Sequence, residues 1–149
     1  MGINKYVSDV KTVNQNQEVV YRFLSDLSNL KRFFNEYTLE QISAQLPNNM
    51  RIERFEADTD SCIFMLSKGA FGLRIIDREP FKTIKIVAEG QMPIEATLWI
   101  QLVPTSAYQS KMRLTLHAEM NMFIKMMANK KIKEGLDRMA DFLAAIPYV

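Results

Sequence analysis

Histidine, cysteine and tryptophan occur once each in this 149-residue chain, and the first two scarcities remove whole classes of chemistry. A lone cysteine, Cys62, permits no internal disulfide and no cysteine-based metal cluster. Cys62 and His117 supply two soft ligands at most, and no HExxH or CxxC spacing occurs, so neither a metal site nor a cofactor is expected. His117 is the one side chain whose ordinary pKa suits general-base work at neutral pH. Strand alternation sets it beside Arg113, Thr115 and Glu119 on a wet face, and no nucleophile-elbow motif accompanies it. The carboxylate pairs Glu53 with Glu56, Asp58 with Asp60, and Asp137 with Asp141 read as solvated. No catalytic residue is therefore assigned, and a binding role is favoured over an enzymatic one.

Other absences set the broad class. No run approaches the roughly 20 apolar residues of a membrane-spanning helix, and the opening MGINKYVSDV lacks the apolar centre of a secretory signal. A myristoylation signal would need Ser or Thr where Tyr6 stands. A cytoplasmic location is the resulting expectation. Charge is nearly balanced, 19 basic against 17 acidic residues. The densest basic stretch, Lys130, Lys131 and Lys133, runs straight into Glu134 and Asp137, which suits a solvated helix face; no nucleic-acid partner is expected. With 48% hydrophobic residues and no repeat or linker, residues 1–149 read as one domain able to bury roughly 70% of its unfolded surface.

What is present is a change of period. A first strand is expected over Lys5–Val13, with Tyr6, Val10 and Thr12 opposed to Lys5, Asp9 and Lys11. Asn14 or Asn16 then caps a helix carrying Val20, Phe23, Leu24 and Leu27 on one face. A second short helix starts at Ser28 with Leu30, Phe33 and Phe34, and a third, weaker one holds Leu39, Ile42 and Leu46 before a turn at Pro47-Asn48-Asn49. From Met50 the period is two, giving strands near 51–57, 61–66, 71–79, 82–89, 94–103 and 110–120. The connections are too short for parallel crossovers, so the pairing is antiparallel. Ala96, Leu98, Ile100 and Leu102 form an apolar face, as do Leu114, Leu116, Ala118 and Met120. Such a one-sided sheet needs a cover.

The cover is the C-terminal helix, whose stripe Ile132, Leu136, Met139, Leu143 and Ile146 steps by four, three, four and three. Projected backwards, that stripe reaches Ala128, Lys125 and Asn121 and misses Phe123, Met126 and Met127. One straight helix cannot put both apolar sets against the sheet, so a break or bend is expected between about Ala128 and Lys131.

This α+β order, with VNQNQEVVYRFLSD at Val13–Asp26, REPFKTI at Arg78–Ile84, LWIQL at Leu98–Leu102 and DRMADFLAAIPY at Asp137–Tyr148, resembles the START-like, or SRPBCC, superfamily. That superfamily includes polyketide cyclases, lipid-transfer proteins and pollen-allergen-type ligand carriers. The first phrase resembles its first strand-to-helix passage, and the other three resemble a bacterial branch of it without assigned function. The resemblance implies a helix-grip fold: a curved seven-stranded antiparallel sheet around a long C-terminal helix, with two or three short helices between strands 1 and 2. It also implies a cavity for a small hydrophobic or amphipathic molecule. Expected to line it are Phe64, Leu66, Phe71, Leu73, Ile75, Ile84 and Ile86, then Leu98, Ile100, Leu116 and Met120, all from the sheet. Leu136 and Met139 face them from the helix, and Met127 joins near a mouth at the loops of Gly69 and Met92. Methionine suits such a place because it reshapes around varied ligands, but it also fills ordinary cores.

Two further readings stand beside carriage. A polyketide cyclase or dehydratase acting on a cyclic hydrophobic substrate would need a polar group inside the cavity, and alternation turns the candidates Arg74 and Arg78 outward. Trp99 lies on the wet face between Thr97 and Gln101, where an indole wants cover. Either a long neighbouring side chain supplies it, or a partner does, for instance a second copy in a homodimer through the outer sheet face.

Overall fold

The computed structural model describes residues 2–44, 51–67, 69–90, 95–120 and 122–148, and not the side chains of Phe123, Ile124 and Met127. The turn at Pro47-Asn48-Asn49, Leu46, Met92 and the Met127 side chain therefore lie outside the described residues. Eight strands form one antiparallel sheet: β1 Gly2–Val7, β2 Lys11–Val13, β3 Ile52–Ala57, β4 Ser61–Leu66, β5 Gly69–Glu79, β6 Thr83–Gly90, β7 Glu95–Pro104 and β8 Ser110–Met120. Their order is β1-β8-β7-β6-β5-β4-β3, with β2 also on β8. Helices α1 Gln17–Leu24 and α2 Glu36–Ser43 flank a 3-10 helix at Leu27–Phe33, and α3 Met122–Ala145 follows the sheet.

The expected first strand is really two, which makes the sheet eight-stranded. Ser8 causes the break: its N–H donates to the Leu114 carbonyl and its hydroxyl oxygen accepts from the Leu114 N–H, each at 2.9 Å. The chain steps around that side chain, and the alternation resets. Tyr6 stays inside, but Val10 and Thr12 turn outward and Val13 is buried instead.

Asparagine capping sets the helices. Asn16 Oδ1 accepts from the Val19 N–H at 2.9 Å, and Asn35 Oδ1 accepts from the Thr38 N–H at 3.0 Å. Asp26 caps the 3-10 helix by accepting from the Ser28 N–H. Helix α1 buries Val20, Tyr21, Phe23 and Leu24 against the sheet's inner face.

Helix α3 is one uninterrupted helix of 24 residues, so the break expected between Ala128 and Lys131 does not occur. The expectation assumed that both apolar sets must be buried. That assumption fails at Met126, the one residue of the second set whose side chain is described: it is 81% exposed, and Met122, one turn earlier, is 80% exposed. Nothing in Ala128-Asn129-Lys130-Lys131 opposes a helix, since neither proline nor glycine is present. The buried line further along is Leu136, Ala140 and Leu143, with Ile146 after the helix ends; Met139 is 41% exposed. Asp137 fastens this helix to the sheet's corner by accepting from the Asp9 N–H at 2.8 Å and from Lys133 at 3.0 Å. The Asp9 N–H first, then the Lys133 ammonium, hold its carboxyl below the ordinary aspartate range.

A β-bulge at Ile75/Asp77 corrects a second expectation. Ile75 pairs with Ile86, but Asp77 pairs with Lys85 and Arg78 with Ile84, so Ile76 is the extra residue. Beyond it the two faces exchange. Arg74 faces outward, as expected, and binds Glu89 at 2.6 Å, while Arg78 turns inward. The Arg78 guanidinium donates to the Ser25 carbonyl at 2.8 Å, the Thr59 carbonyl at 3.3 Å and the Asp60 carboxylate at 2.7 Å. It ties the end of α1 to the β3–β4 turn.

No helix among the described residues is long and apolar enough to cross a membrane. Two substitutions test this architecture. Leu136→Asp buries an unpaired charge between α3 and the sheet, so urea unfolding should show a loss of at least about 3 kcal/mol. Arg78→Met leaves the Ser25 carbonyl without its donor and Asp60 without its cation, and should cost about 2 kcal/mol in the same measurement, whereas Arg74→Met should cost little.

Candidate ligand cleft

Away from Arg78, paired residues carry one apolar row across the inner face of the sheet. Cys62 pairs with Leu73, Leu73 with Ala88, Ile86 with Leu98, and Leu98 with Leu116. Over most of this face the space is filled. Ile75, Ile84 and Ile100 are 5%, 0% and 4% exposed, in one core cluster with α1's Val20 and Leu24, so three residues expected to line a cavity are solid core. Towards the other end of β6 and β7 it is not filled. A cleft of about 300 Å³ opens there between sheet and α3. Leu73, Ile86, Ala88, Ala96, Leu98 and Leu116 line it from the sheet, and Ile132, Gly135, Leu136 and Met139 from the helix.

The cleft exists because three small residues converge. Ala88 and Ala96 lie just past the last paired residues of β6 and β7, Val87 and Thr97, where the preceding inward positions carry Ile86 and Leu98. Gly135 stands across from them on α3, and a methyl group added there would meet nothing within 4 Å. Leucine-sized side chains at these places would close the space. None of the ten lining residues carries a titratable group.

Six of the fourteen residues expected to line a cavity do line this cleft: Leu73, Ile86, Leu98, Leu116, Leu136 and Met139. Phe64 and Phe71 stack on each other instead, centroids 4.8 Å apart, in an aromatic cluster with Phe34, Phe55 and Phe142. Leu66 is half-buried opposite Ile52. Met120 is buried but lines a separate groove with Met126, between β1 and α3. Ala88, Ala96, Ile132 and Gly135 were not anticipated as lining. Their signal was present in the sequence as small residues on inward positions, which a search for large apolar side chains passes over.

Cys62 is buried under the same sheet, and desolvation pushes its thiol up to about 11. Trp99 finds its cover within the chain: the His117 ring meets it edge-on at 4.6 Å, and the Lys85 ammonium lies 5.4 Å from its centroid. Among the described residues no group of three or more His, Cys, Asp or Glu side chains is placed to hold a metal ion.

Solved structures share this fold. Norcoclaurine synthase from Thalictrum flavum, in complex with dopamine and hydroxybenzaldehyde, aligns over 96% of this chain and 85% of its own with a TM-score of 0.63 and 14% identity. Protein CV1439 from Chromobacterium violaceum aligns over 100% and 99% with a TM-score of 0.56 and 15% identity. The Aha1 dimer from Colwellia psychrerythraea aligns over 95% and 97% with a TM-score of 0.58 and 16% identity. The fold is the START-like helix grip. At such identities the likeness establishes architecture and nothing finer. No protein-family model matches the chain, and no curated protein sequence does.

The environment of Cys62 has a direct readout. At pH 8 only about a thousandth of a thiol with so raised a pKa is ionised, so the folded protein should resist iodoacetamide and react only once unfolded. Labelling of the native protein at the rate of an exposed cysteine would contradict this burial.

Proposed function

We propose that the chain binds a small hydrophobic or amphipathic molecule in the cleft between sheet and α3 and carries it without transforming it. The observation that carries this reading is the cleft's lining: ten apolar residues around about 300 Å³, at the lower end of ordinary ligand sites. An apolar cavity of about 150 Å³ admits a benzene ring, so this open-sided space suits a compact molecule of about two or three rings or a short chain. That norcoclaurine synthase of the same fold holds two small aromatic compounds is consistent with such use. Binding is favoured over a cyclase or dehydratase reaction because no lining side chain can hold or move a proton. A polar end on the ligand would sit at the open side of the cleft.

A second reading is a homodimer through the outer face, where Ile3, Trp99 and His117 border a groove of about 520 Å³. The neighbour solved as a dimer keeps this reading in view, but the cover that His117 and Lys85 give Trp99 removes its main motive.

Filling the cleft tests the first reading. Gly135→Leu should weaken binding of the fluorescent probe N-phenyl-1-naphthylamine at least roughly tenfold while thermal stability is kept, because the added side chain enters open space. Unchanged probe affinity in a stable Gly135→Leu protein, or no affinity in the parent protein, would sink the carrier reading.

A further inference from the structure

The opposite flank of α3 bears a different surface. Strand β1 is an edge of the sheet and, among the described residues, pairs only with β8. Alternate residues of Gly2–Val7 therefore turn N–H and C=O groups away from the sheet, and Ile3 is 64% exposed beside them. Between this edge and α3 runs a groove of about 610 Å³ walled by Met122, Lys125 and Met126. At Asn129 it meets a second groove of about 620 Å³, walled by Lys130 and Lys133.

We propose that this groove receives an extended acidic peptide that adds a ninth strand to β1. Three features converge on that occupant. The unpaired edge offers backbone hydrogen bonds that only another strand satisfies along its length. Met122 and Met126 are exposed, flexible and polarizable, the kind of surface that adapts to varied apolar side chains. The charge is predominantly basic: the two grooves are lined by Lys5, Lys125, Lys130 and Lys133 against the one acid Glu134. Lys133 is engaged by Asp137 at 3.0 Å and Asp9 at 3.8 Å, but Lys125 and Lys130 are exposed and make no ion pair among the described residues. An added strand would direct alternate side chains towards α3, apolar ones to the methionines and carboxylates to Lys125 and Lys130. An anionic bilayer would also suit lysine and methionine, but it would leave the β1 edge without partners. The edge decides for the peptide.

The test uses a fluorescein-labelled, end-blocked octapeptide of alternating Glu and Val, followed by anisotropy. Saturable binding is expected, weakened at least roughly tenfold by the double variant Lys125→Glu/Lys130→Glu and by Met122→Ser/Met126→Ser. Backbone amides of Gly2–Val7 should gain hydrogen-exchange protection, and N-phenyl-1-naphthylamine binding in the cleft should not change. A proline-interrupted Glu-Val peptide and an alternating Lys-Val peptide should fail to bind. The proposal is overturned by no binding of the Glu-Val peptide, by equal binding of either control, or by absent protection in β1. Phosphatidylglycerol vesicles that bind where the peptide does not would make the surface a lipid contact instead.

Discussion

Everything else in this molecule depends on the contact of one helix with one face of a sheet. Leu136, Ala140 and Leu143 of α3 are nearly inaccessible, and each large side chain so buried contributes roughly 1.5–3 kcal/mol. The sheet's inner face has no other use for its apolar residues at this end, since α1 and the 3-10 helix cover only the other. Once α3 is seated, its helical phase fixes two flanks. Residues 132, 135, 136 and 139 look onto the cleft, while 122, 126, 129 and 133 look towards the β1 edge. One packing interaction therefore positions both surfaces.

Much of the architecture could be read directly from residue patterns. Strand limits from Ile52 to Met120 fell within a residue or two of the structure because each strand alternates cleanly and ends in turn residues. What escaped were places where one residue alters the count. Ser8 replaces a ladder bond with its own hydroxyl, and Ile76 is inserted opposite nothing; each reverses the parity of the residues after it. Periodicity has no term for either, so Val10 and Arg78 were assigned to the wrong faces. The α3 break failed for another reason. Helical phase says which residues share a side, not whether that side must be buried, and the exposed Met122 and Met126 are the case in point.

The cleft was legible in outline only. Large inward residues were a fair guide to the walls, but a cavity is a deficit of volume, and volume is lost where side chains are small. Ala88, Ala96 and Gly135 are individually ordinary; only the pairing of β6 with β7 and the seating of α3 bring them together. Conversely, Phe64 and Phe71 are large and inward yet find each other before any ligand, in contacts worth about 0.5–1.5 kcal/mol per pair. With Phe34, Phe55 and Phe142 they form an aromatic cluster over β3 and β4, to one side of the cleft.

The strained turn at the β5–β6 hairpin shows how the opposite end is kept shut. Phe81 adopts a φ of +55°, a conformation costing a non-glycine residue about 1–3 kcal/mol. Tyr21 meets its ring edge-on at 5.5 Å, the Arg22 guanidinium lies 5.8 Å from its centroid, and Gln17 donates to its carbonyl. All three partners belong to α1. Docking of α1 thus helps hold the strained residue, together with the turn's own backbone bonds from Lys82 to Glu79 and from Leu102 to Lys82. Val20 and Leu24 of α1 share one core cluster with Ile84 and Ile100. A closed, over-determined end beside an open end lined with alanine and glycine makes the cleft a built asymmetry rather than loose packing.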